Sequence, residues 1–122
     1  MENFTITWKG KSGSSYTFEV GRDGQGFHSV SGVYVFCKPI GLIGWEALYV
    51  GEAQSLKDRL NTGISNHDGY RRAKAAGMTH IAAMVVVGDT ERLRVETDLR
   101  HGLNPSCNAQ GINALAGFGF RK

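Results

Sequence analysis

Apolar and polar residues alternate strictly at the start of the chain. Phe4-Thr5-Ile6-Thr7-Trp8 and Tyr16-Thr17-Phe18-Glu19-Val20 both carry this period of two in strand-forming residue types. Gly10-Lys11-Ser12-Gly13-Ser14 between them is turn-like, so the pattern predicts a β-hairpin. Residues 21–31 are polar and Gly-rich and read as a connection. Val33-Tyr34-Val35-Phe36-Cys37 predicts a third strand, broken by Pro39, Gly41 and Gly44. Ala47-Leu48-Tyr49-Val50-Gly51 predicts a fourth, close enough in sequence to pair antiparallel with the third.

From residue 55 the signals become helical. Ser55-Leu56-Lys57-Asp58 resembles a capping box, with Asp in place of Glu or Gln, and starts a short helix carrying Arg59 and Leu60. After a turn-like stretch, Asp68 is placed to cap a helix over residues 69–76 that Gly77 closes. Residues 81–87 are nearly all apolar and predict a strand buried on both faces. Asp89 caps a helix from Thr90 to His101, Gly102 ends it and Pro105 prevents restart. The Gly-rich end of the chain carries no clear pattern. The expected fold class is α/β (α+β): a small antiparallel three-stranded sheet flanked by helices, with an added N-terminal β-hairpin. One domain is expected over residues 1–122, with an N-terminal hairpin extension (1–31), a core (32–108) and a C-terminal tail (109–122).

Composition narrows the class without naming it. Hydrophobic residues are 41% and charged residues 20% of the chain, which excludes a disordered tail. Seventeen glycines without a triplet period exclude collagen and point to turns and close backbone approaches. No apolar run approaches the ~20 residues of a membrane helix, and Met1-Glu2-Asn3 does not open a signal peptide, so the expected location is cytoplasmic. The net charge of +3 permits a polyanionic partner without demanding one. Cys37 and Cys107 form no CxxC pair and read as reduced and buried, and the four histidines lack zinc-ligand spacing.

Glu96 is the residue whose position asks for an explanation. At about 100° per residue it falls between Leu103 and Leu93, beside the apolar stripe of its helix. A carboxylate there is costly unless paired or bound to a cation. Arg92 and Arg100, at i−4 and i+4, offer an ion pair; a metal or catalytic role is the other reading. Tyr34, Tyr49 and Arg59 are each unremarkable singly, as strand aromatics and a helix surface residue.

Together these residues carry a resemblance. Gly32-Val33-Tyr34, Tyr49-Val50-Gly51, Arg59 ten residues after Tyr49, and Glu96 followed by Pro105 at +9 and Asn108 at +12 resemble the GIY-YIG nuclease family. The resemblance runs from about Gly32 to Asn108 and leaves the N-terminal hairpin and the tail unaccounted for. It implies a metal-dependent endonuclease that hydrolyses phosphodiester bonds in DNA with Mg²⁺ or Mn²⁺. It implies that Glu96 holds the cation, Arg59 braces the phosphate, Tyr49 holds or deprotonates the attacking water with Tyr34 sharing the task, and Asn108 fixes the active-site loop. A module on the same fold that binds nucleic acid without cutting is the alternative, and a protein-interaction domain with an ion-paired Glu96 a third.

The sequence departs from the family pattern at two places. Many members carry His or Tyr four residues after the arginine, where this chain has Gly63; His67 and Tyr70 lie nearby, and His67 is a candidate catalytic base. Glu52 follows Tyr49-Val50-Gly51 where some relatives have Lys, placing negative charge near a phosphate site. Lys57, Arg71, Arg72 and Lys74 are candidate phosphate contacts, or simply a solvated face. Zinc-finger, helix-turn-helix and homeodomain patterns are absent, so sequence-specific cutting is expected to need a homodimer, a separate targeting partner or loop readout.

Overall fold

The structure, a computed structural model, describes residues 4–108. The C-terminal tail expected over 109–122 and the N-terminal Met1-Glu2-Asn3 lie outside the described residues. Five strands form one antiparallel sheet: β1 (Phe4–Lys9), β2 (Ser15–Arg22), β3 (Gly32–Ile40), β4 (Gly44–Ala53) and β5 (His80–Val85), in the order β1-β2-β5-β3-β4. The expectation of three strands plus a separate hairpin is thus corrected. Strand β2 pairs with β5 from Glu19↔Ala83 to Arg22↔His80, which makes the hairpin part of the sheet.

Strand β3 lies inside the sheet between β5 and β4 and is buried from Gly32 to Cys37, so its near-continuous apolar run is the composition such a strand requires. Strand β5 differs from its prediction. It ends at Val85, which is 60% exposed, because the face holding Ala83 and Val85 is an open trough below residues 25–30. Two cores lie on opposite faces of the sheet. Tyr16, Phe18, Val20, Val33, Val35 and Val50 pack against Val95 and Leu99 of helix α2 (Asp89–Leu103). On the other face, Tyr34, Phe36, Leu48 and Ile81 pack against Leu56, Leu60 and Ala73 of the segment between β4 and β5.

That intervening segment holds the short helix the capping signal predicts. The Asp58 N–H donates to Ser55 Oγ at 3.2 Å, and residues 58–62 form a π turn, a form that recurs at functional sites. A 3₁₀ turn (Ile64–Asn66) leads into helix α1 (Asp68–Ala75). The cap of α1 is His67 rather than Asp68: the ring Nδ1 accepts the Tyr70 N–H at 3.1 Å. Between β3 and β4 the register shifts at Phe36/Cys37, leaving Leu48 without a partner in β3. This bulge lets consecutive Leu48 and Tyr49 join the same core, which strict alternation forbids.

Helix α2 is longer than its pattern suggested, and Gly102 lies inside it. The left-handed residue after the helix is Asn104 (φ 49°). Gly102 is there for contact: a Cβ on it would stand 2.6 Å from the Gly10 carbonyl carbon and the Lys11 nitrogen. Asp98, one turn earlier, anchors the same β1–β2 turn, accepting from the Ser12 N–H (2.8 Å), the Ser12 hydroxyl (2.7 Å) and the Tyr16 hydroxyl (2.7 Å). Those donors hold its carboxyl below the usual carboxylate range, the Ser12 hydroxyl most of all. Cys37 and Cys107 are both buried free thiols, and burial pushes Cys37 up to about 12. Among the described residues no helix is long and apolar enough to cross a membrane.

Gly102→Ala raises intrinsic helix propensity by about 1 kcal/mol, yet forces a methyl into the Gly10–Lys11 backbone. Urea denaturation is expected to show a net loss of about 1–3 kcal/mol. A variant as stable as the parent contradicts the contact.

Candidate functional site

Strands β3 and β4 present the two tyrosines to one face. Tyr34 is 1% exposed and lies opposite Gly51 in the β3–β4 register. A Cβ on Gly51 would come within 2.4 Å of the Tyr34 ring carbon Cζ and its hydroxyl, so only glycine leaves room for the phenol. Gly69 at the start of α1 makes the same room for Tyr49, whose Cε2 lies 2.4 Å from where a Cβ would sit. The Tyr34 and Tyr49 ring centres are 6.2 Å apart with nearly parallel planes, and Phe36 stacks on Tyr49 at 5.5 Å.

His67 closes this cluster from the N-terminus of α1. It is fully buried, its ring centre is 5.2 Å from that of Tyr49, and its Nε2 is 2.6 Å from the Tyr34 hydroxyl. Burial lowers the His67 pKa to about 4, helped by the positive charges of Arg59, Arg72 and Arg71 and opposed by Asp68. Burial likewise pushes Tyr34 well above the ordinary phenol value; the neighbouring Tyr49 adds to this and the Arg59 guanidinium pulls back.

Arg59, on the π turn, lines an open groove of about 530 Å³ with Glu52, Ser55, Asp58 and Arg92. Among the described residues Arg59 forms no ion pair, whereas Arg92 forms two. Arg92, 5% exposed, donates to Glu52 at 2.5 Å and to Asp89 at 2.7 Å. The charge of Glu52, which threatened a phosphate site in the sequence, is therefore compensated from α2. The half-buried guanidinium left for an anion in the groove is that of Arg59.

Asn108 is 2% exposed and supports β4 from its outer edge. Its Oδ1 accepts the Val50 N–H and its Nδ2 donates to the Val50 carbonyl, both at 2.9 Å, while the Cys107 N–H donates to the Leu48 carbonyl at 2.8 Å. One carboxamide thereby stands in for a neighbouring strand at Val50, between Tyr49 and Gly51.

Glu96 lies on the flank of α2, half-buried beside Val95 and Leu99; Leu93, which was expected in the apolar stripe, is 50% exposed. Its polar contacts stay within the helix: Arg100 Nε donates to Oε2 at 2.9 Å, and the Thr97 hydroxyl to Oε1 at 3.4 Å. Of its two flanking arginines, Arg100 is the partner and Arg92 is held elsewhere. Among the described residues no three Asp, Glu, His or Cys side chains group as a cation cage. The donor set fits a hard cation that keeps most of its water shell and takes one protein carboxylate, since among the described residues Glu96 Oε1 has only the long Thr97 contact.

The basic side chains of α1 are largely committed to the protein. Arg71 pairs with Asp68, Arg72 donates to the Cys107 carbonyl at 2.8 Å, and Lys74 pairs with Asp23 at 2.7 Å, an acid that also accepts from the Tyr70 hydroxyl. Lys57 is exposed with no ion pair among the described residues. The roles of Gly69 and of Arg92 escaped the sequence reading. A glycine just after a cap and an arginine spaced i+3 from Asp89 were the available signals.

A group whose pKa falls on folding leaves the unfolded state binding more protons, so stability rises with pH between the two values. With His67 moving from 6.5 to about 4, lowering the pH from 7 to 5 is expected to remove about 2 kcal/mol through this group. Denaturation of His67→Asn is expected to lose that much less over the same interval. An identical slope in the two proteins contradicts a buried neutral imidazole.

Neither a protein-family model nor a curated protein sequence matches the chain. Solved structures do match. They include the GIY-YIG N-terminal endonuclease domain of UvrC from Thermotoga maritima in three tyrosine-to-phenylalanine point mutants, each bound to a catalytic divalent cation. One aligns at a TM-score of 0.54 with 24% identity and two at 0.55 with 23% identity. Each alignment covers 67% of this chain and 86% of that domain. The mixed α/β architecture with its antiparallel sheet is the fold of a GIY-YIG endonuclease domain, here built on five strands.

Proposed function

We propose that the protein is an endonuclease that hydrolyses phosphodiester bonds in DNA with the help of Mg²⁺ or Mn²⁺. The observation that carries this reading is Arg59, a half-buried guanidinium without a carboxylate partner among the described residues, whose charge acts on Tyr34 of the Tyr34–Tyr49 phenol pair. A site of that make-up receives an anionic oxygen next to a group that can hold water. The fold's likeness to a UvrC endonuclease domain bound to a divalent cation supports it.

In-line attack needs an oriented water, an immobilised phosphate and neutralised charge on it. Arg59 presents a planar fork that grips two phosphate oxygens at once. Tyr49 orients the attacking water, and the hold of Asn108 on Val50 keeps Tyr49 in place. Glu96 would hold the cation, which when bound supplies charge neutralisation at the phosphate. Arg92 keeps Glu52 from repelling the substrate.

A second reading has one observation in its favour. The Glu96 carboxylate is already paired with Arg100, as it would be in a module that binds nucleic acid and no longer cuts.

Nicking of supercoiled plasmid is expected with Mg²⁺ or Mn²⁺ and is expected to stop on chelation. Glu96→Gln should lose at least about a hundredfold in rate while keeping its fold and DNA affinity, and Arg59→Lys should lose a similar factor because a point charge cannot replace a fork. DNA binding without cleavage under any divalent cation would establish the second reading. Unfolding of Glu96→Gln would assign Glu96 to the ion pair.

A further inference from the structure

Two hydrogen bonds fix the proton of His67. Its Nδ1 lies 3.1 Å from the Tyr70 backbone nitrogen, whose N–H can only donate, so Nδ1 carries a lone pair. A neutral imidazole then bears its proton on Nε2, and Nε2 is 2.6 Å from the Tyr34 hydroxyl oxygen. The Nε2–H therefore donates, and the tyrosine oxygen accepts. The Arg59 guanidinium, whose positive charge acts on Tyr34, can also only donate. Gly51 beneath the phenol offers no side chain. Neither partner can take the hydroxyl hydrogen of Tyr34, and among the described residues it is left to point at whatever occupies the site.

We propose that His67 is a positioning residue that donates to Tyr34 and turns the Tyr34 hydroxyl into a hydrogen-bond donor for a phosphate oxygen, alongside Arg59. The assignment of that oxygen to a phosphate rests on the nuclease reading; the direction of the His67–Tyr34 bond does not.

The same geometry excludes a proton relay from Tyr34 to His67. For His67 to accept, Nε2 would need the lone pair. The proton would then sit on Nδ1, pointed at the Tyr70 N–H, and the cap of α1 would be lost. A doubly protonated ring meets the same clash, and Arg59, Arg72 and Arg71 oppose its charge, with only Asp68 favouring it. His67 thus differs from the general base that its titration range suggests in the sequence. Tyr34 and Arg59 become a two-donor clamp, and the water is left to Tyr49.

The direct test is ¹⁵N NMR of the histidine side chains in the wild-type protein at pH 6–8. The expected spectrum shows His67 with Nε2 protonated and Nδ1 bare throughout that range. A ring protonated on Nδ1, or on both nitrogens, overturns the proposal. Two variants then separate donation from capping. His67→Gln places an amide N–H where Nε2 stands, whereas His67→Asn keeps an acceptor near Nδ1 and loses the donor. Plasmid nicking by His67→Gln is expected within about threefold of wild type, and that by His67→Asn to fall at least about tenfold in kcat, with both folded at the assay temperature although less stable than the parent. In the double variant Tyr34→Phe/His67→Asn the rate should equal that of Tyr34→Phe alone, because the two residues act as a unit. A fully active His67→Asn, or additive losses, overturns the proposal. A protein that shows the expected tautomer and never cuts DNA contradicts the nuclease reading alone, since the donation to Tyr34 is then established.

Discussion

A phenol with all but 1% of its surface buried needs a polar partner inside the protein, and that requirement organises the site. Tyr34 is 1% exposed, and its hydroxyl meets that need with the ring of His67 at 2.6 Å. The bond joins β3, inside the sheet, to the residue that caps α1. Because His67 also caps α1, a single imidazole fixes both the orientation of a candidate substrate-binding hydroxyl and the start of the helix that backs it.

The remaining features keep that bond and its surroundings in place. Gly51 and Gly69 are small because the two tyrosine rings occupy the volume where their side chains would be. Asn108 satisfies the outer edge of β4, so the strand carrying Tyr49 and Gly51 is held from both sides. Glu52 and Arg92 neutralise each other beside the groove, and Arg59 stands there without a counterion among the described residues. These are separate contacts, yet each removes a different freedom from the same few atoms.

Much of this was legible in the sequence, and what was not has a physical cause. Alternation located β1 and β2, because one face of each is buried against α2 and the other is open. It could not show that β2 pairs with β5, since partner choice between strands some sixty residues apart leaves no local mark. The apolar run at residues 81–87 suggested full burial, but the sheet leaves Val85 and Val87 in solvent. Gly102 read as a helix stop because glycine ends helices more often than it lines a contact; only the docked β1–β2 turn reveals its purpose. Asp68 is the commoner cap, and His67 won the position because its ring serves two partners at once. Glu96 stood out as a half-buried carboxylate in both readings, yet helix geometry alone could not decide between its two arginines.

The central claim is that the groove lined by Arg59 takes a phosphodiester while Glu96 takes a divalent cation. Its most direct test is a crystal of the protein with Mn²⁺ and a short DNA duplex, read by anomalous scattering. The account predicts a manganese peak at bonding distance, about 2.1–2.2 Å, from a Glu96 carboxylate oxygen, with a phosphate held between Arg59 and the Tyr34 hydroxyl. Manganese bound elsewhere, with Glu96 still closed on Arg100 and no phosphate at Arg59, would contradict it.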